Sequence, residues 1–71
     1  MSRKPQSVMF FEDEREALLI TLQFRGTPYA VKSPTVGYNI YVHDFTPIPV
    51  GVAEKKEDCQ IVYEVWLQRQ P

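Results

Sequence analysis

The chain has 71 residues, 44% of them hydrophobic and 24% charged, with a net charge of −1. That length supports one domain, and burying only about 60% of the unfolded surface leaves it a thin stability margin. The composition is that of a folding chain rather than a disordered one, and the balanced charge is a poor footprint for nucleic acid, whose binding draws on a positive excess.

Residues 1–7, "MSRKPQS", carry Arg3, Lys4 and Pro5 without an apolar side chain after Met1, and read as a flexible N-terminal arm. Residues 8–71 read as a single small β-rich domain. "VMFF" (Val8 to Phe11) suits an edge strand or a strap across the core. "EDEREALL" (Glu12 to Leu19) has acids first and good helix formers later, which favours one or two helical turns, although no strong N-cap residue precedes it. "LLITLQF" (Leu18 to Phe24) alternates as a strand, "RGTP" is a turn signal, and "YAVK" is a return strand, so a hairpin is expected across Arg25–Pro28. "YNIYVHDF" (Tyr38 to Phe45) is the next strand. Pro47 and Pro49 in "TPIPVGV" remove two ladder donors, which argues against a central strand there. "AEKKED" is a charged loop. The last segment, about Gln60 to Gln68, alternates Ile61, Tyr63, Val65 and Leu67 against Val62, Glu64, Trp66 and Gln68, and is read as the final strand.

The expected fold is mostly β, all-β or small α+β, with a four- to five-stranded antiparallel sheet or partly open barrel and one short N-terminal helical turn.

The chemistry-bearing residues are sparse. His43 and Cys59 are the only histidine and cysteine, sixteen positions apart, too few for a zinc site and without an oxyanion hole for a nucleophile pair. Asp44 follows His43, so on a strand the two point to opposite faces. "EDERE" reads as a solvated first helical turn, and the three glycines lack phosphate-loop spacing. No catalytic residue, cofactor or metal is expected. One cysteine permits no internal disulfide, no signal-like apolar stretch follows the basic start, and no segment reaches membrane-span length. A soluble cytoplasmic protein without membrane contact is the expectation.

Too many apolar residues remain for one sheet face. Val62, Trp66, Tyr41 and Phe45 fall opposite the main core face and need a cover: "VMFF", "TPIPV" or another molecule. These four are the expected anchors for a partner, with Arg69, Arg25, Glu64 and the run Glu12 to Glu16 as a polar rim, since Trp and Tyr dominate binding hot spots. The expected function is a non-enzymatic interaction module, a regulator, adaptor or inhibitor of a larger bacterial or phage-targeted machine such as transcription or defence machinery. It would bind through an aromatic sheet face or an edge strand. Nucleic-acid binding by aromatic stacking on a small barrel is the first alternative, disfavoured by the scarcity of interleaved Lys and Arg. A homodimer is the second.

Overall fold

The structure, a computed structural model, describes residues 6–21 and 26–71. Among these described residues, four strands form one sheet in the order β1-β2-β3-β4: β1 Met9–Phe11, β2 Pro28–Ser33, β3 Gly37–Asp44 and β4 Thr46–Ala53. Two short helices accompany them, α1 Glu14–Thr21 between β1 and β2, and α2 Cys59–Gln68 after a 3-10 turn over Lys56–Asp58. The chain is therefore small α+β, mostly strand, with an open sheet and not a closed barrel.

The sheet is mixed. β2–β3 and β3–β4 are antiparallel hairpin neighbours, whereas β1 runs parallel to β2, pairing Met9, Phe10 and Phe11 with Tyr29, Ala30 and Val31. A parallel pair needs a crossover of a dozen or more residues, and the segment carrying α1 supplies it. Asp13 starts that helix: its carboxylate accepts from the Arg15 amide at 2.8 Å, and its carbonyl accepts from the Ala17 amide. The N-cap judged missing from the sequence is thus Asp13. The helix also extends through Leu18–Thr21, so the strand expected over 18–24 is helical in its first half, while residues 22–24 and Arg25 lie outside the described residues. The hairpin that β2 forms is with β3, the next strand along the chain. Gly37 closes that turn at φ 92, where an added Cβ would stand 2.5 Å from the Glu54 carbonyl.

Each helix takes one face of the sheet. Fully buried Ala17 of α1 packs on Tyr29 and Val31, with Met9, Phe11 and Tyr41 around them. On the opposite face, Cys59 and Tyr63 of α2 pack on Val8, Ala30, Ile40, Val42 and Ala53, flanked by Tyr38, Val50, Val62, Trp66 and Leu67. The strand expected over 60–68 is this helix. Its core residues recur at helical spacing, Cys59, then Val62 and Tyr63, then Trp66 and Leu67, and Glu57 and Asp58 place negative charge at its positive end. "VMFF" and "TPIPV", expected as possible covers, are the sheet's own edges.

Gln60 ties the N-terminal segment to α2. Its side-chain oxygen accepts from the Val8 amide, and its side-chain nitrogen donates to the Gln6 carbonyl and to the Glu64 carboxylate, each at 2.9 Å.

Candidate functional site

The anchors and rim residues expected from sequence are dispersed, and the exposed run Glu12 to Glu16 leads into α1, away from those on α2. Val62, Trp66 and Arg69 come together on α2; Tyr41 lies on the other face of the sheet; Phe45 stands at the β3–β4 turn; Arg25 is outside the described residues. Glu64, also on α2, turns toward Gln60 and the N-terminal segment instead of the Trp66 side.

Trp66 is half-buried. Its indole stacks on the buried Tyr63 ring, with centroids 6.4 Å apart and planes at 26°. It forms a wall shared by two concavities. One is a shallow groove of about 310 Å³ between α2 and the edge strand β4, lined by Val50, Ile61, Val62, Val65, Trp66 and Arg69. The other, about 420 Å³, opens at the C-terminal end of α2 and includes Val42, Ile48, Tyr63 and Leu67 in its lining. Ile61 and Val65, one helical turn apart, are 61% and 43% exposed. Anchors read from alternation did not include them, because a strand places Ile61 and Val65 on the core face; helical spacing puts them beside Val62 and Trp66.

The edge next to this groove resists strand pairing. The His43 amide donates to the Thr27 carbonyl, and the His43 carbonyl accepts from Gly26, so the backbone groups of His43 point away from β4. Pro47 pairs with His43 and Pro49 with Tyr41. In an antiparallel ladder these are then non-hydrogen-bonded pairs, whose backbone nitrogens face the outer edge. Proline has no N–H, so that stretch of the edge offers a strand no donors. Docking at this side falls to side chains.

The β3–β4 connection is a single residue wide: Asp44 pairs with Thr46, and Phe45 between them has φ 63 and is 77% exposed. A bulky residue in the left-handed region is strained, so the turn holds an exposed aromatic ring in an unfavourable backbone.

His43 and Cys59 are not brought together. His43 faces the α1 side of the sheet, buried, with no hydrogen-bond partner for its Nδ1 among the described residues, while Cys59 sits under α2 on the other face. The Cys59 thiol is fully buried, donates weakly to the Lys55 carbonyl, and is pushed to higher pKa by burial and then by the Asp58 charge, which keeps it protonated and unreactive. Tyr29, packed against Phe11 and Tyr41, is likewise raised, by burial first and then by Tyr41 and Glu14. Among the described residues no group of three or more His, Cys, Asp or Glu could hold a metal ion, and no helix is long and apolar enough to cross a membrane.

Comparison with protein-family models, curated proteins and solved structures finds no match.

Proposed function

We propose that the chain is a non-enzymatic protein-interaction module, a regulator, adaptor or inhibitor that docks on a larger protein through the groove between α2 and β4. One observation carries this reading: Trp66, braced by Tyr63, walls two open concavities beside the exposed side chains of Ile61 and Val65. A rigid aromatic rimmed by aliphatic groups and an arginine is the make-up of a binding hot spot. The strained, exposed Phe45 adds a second apolar projection near the same end of β4.

The nucleic-acid alternative draws less support. Tyr29 and Tyr63 are consumed in the two cores, and Tyr38 and Tyr41 are half-buried, which leaves few rings for base stacking.

Affinity capture from native lysate, comparing the wild-type chain with Trp66→Ala and with Ile61→Glu/Val65→Glu, tests the proposal. A specific protein held by the wild type should be lost by at least about 30-fold on Trp66→Ala, the equivalent of roughly 2 kcal/mol. The double variant should lose it too, with an unchanged circular dichroism spectrum. Equal retention by all three folded proteins would remove the groove from the function.

A further inference from the structure

The docking stripe on α2 is complementary to itself when turned end for end, and this inference rests on the docking reading above. At about 3.6 residues per turn, Asp58, Val65 and Arg69 fall along one line of the helix, with Ile61 and Val62 to either side. Asp58, at the N-cap, and Arg69, at the C-cap, are both exposed; the Asp58 side chain makes no capping bond, and neither residue has an ion-pair partner among the described residues. A second α2 laid antiparallel across the first sets Ile61 on the other copy's Val65 twice over, and Asp58 against the other copy's Arg69 twice over, as a twofold axis requires. A parallel arrangement would oppose like charges at both ends, so the charges select the antiparallel one. That arrangement also places opposite ends of the helix dipoles together, and a net charge of −1 leaves the two copies little overall repulsion.

We infer that the occupant of the α2–β4 groove is a second copy of this chain, joined through an antiparallel α2 pair by Ile61–Val65 contacts and two Asp58–Arg69 ion pairs. A helix of ten residues is only about 15 Å long, which puts the interface at the small end of specific contacts, below about 1,200 Å² in total. The dimer is accordingly a weak one of micromolar affinity. Self-association and a larger partner then compete for the same stripe, and the dimer is the form in which the groove is kept covered.

Light scattering and sedimentation of the full chain from about 10 to about 500 µM, a range that brackets micromolar association, test the inference. The apparent mass should rise from 8.3 kDa toward twice that value. Asp58→Arg and Arg69→Glu should each weaken association at least about tenfold, and an equimolar mixture of the two variants should recover it to within about threefold, because each then meets its opposite charge. Mixing cannot repair a fold damaged by either substitution. A chain that stays at 8.3 kDa throughout, or a mixture no better than its components, overturns the inference. If the chain is monomeric while Ile61→Glu/Val65→Glu still abolishes capture of a larger protein, the docking reading stands and only self-pairing falls. If the dimer forms and capture is indifferent to those substitutions, the larger-partner reading falls and the dimer stands.

Discussion

Phe45 combines two unfavourable properties in one side chain: a left-handed backbone that costs a non-glycine residue about 1 kcal/mol or more, and an aromatic ring left 77% exposed. Neither is required by the hairpin, since a glycine would make the same one-residue connection between Asp44 and Thr46 without strain. Strain kept at an exposed aromatic position fits a residue held for contact rather than for stability. Phe45→Gly is therefore expected to raise the unfolding free energy by about 1 kcal/mol while reducing capture of the partner. Chemical denaturation and the capture assay, run on the same protein, read the two effects separately. A destabilised variant would mean that the ring supports the fold.

At the scale of elements, the seat of α2 is set by Gly51. A Cβ built there would come within 2.9 Å of the Val62 side chain, so the helix lies as close to β4 as a bare backbone allows. Gly51→Ala should cost about 1–3 kcal/mol by overpacking. Combined with Val62→Ala, which vacates the contested space, it should cost at least about 0.5 kcal/mol less than the sum of the two single changes. Strict additivity in urea titrations would place the helix farther from the strand. The same helix marks the limit of what the sequence reveals. β2 and β3 were legible because Tyr29 to Val31 and Tyr38 to His43 are dense in β-branched and aromatic residues between turn signals; Pro47 and Pro49 argue against a central strand but hide the edge strand β4, because a stretch with two ladder donors missing reads as an extended strap. In "CQIVYEVWLQ" apolar residues are so frequent that periods of 2 and 3.6 both fit. What favours the helix is the pair of acids, Glu57 and Asp58, ahead of the segment, while the four-residue spacing of Gln60, Glu64 and Gln68 fits both periods. Trp66 and Val62 are neighbours under either period, so they stay together on the helix, while alternation puts Ile61 and Val65 on the opposite side from them. The parallel pairing of β1 was not legible, because it depends on where a crossover lands and not on any local pattern.

For the whole molecule, the two apolar clusters lie on opposite sides of one sheet and draw on the same strands. Ala30 and Ile40 floor the α2 side, while Tyr29 and Val31 floor the α1 side. Alternate residues of β2 thus belong to different cores, and a ladder that loses one layer loses the support of the other. The chain is too short to hold two independent units, and Gln60 couples α2 to the residues leading into β1. Unfolding is expected to be a single transition, reported identically by Trp66 fluorescence on one face and by far-ultraviolet circular dichroism of the whole. Ala17→Glu makes the stricter test. It forces a carboxylate under α1, at a fully buried site on the face away from Trp66. With about 4–8 °C of melting temperature per kcal/mol in a domain of this size, it should lower the Trp66 midpoint by more than about 10 °C, in step with the dichroism. A Trp66 signal that keeps its wild-type midpoint while helix content falls earlier would show the α2 layer, and the groove it carries, to be stable without α1.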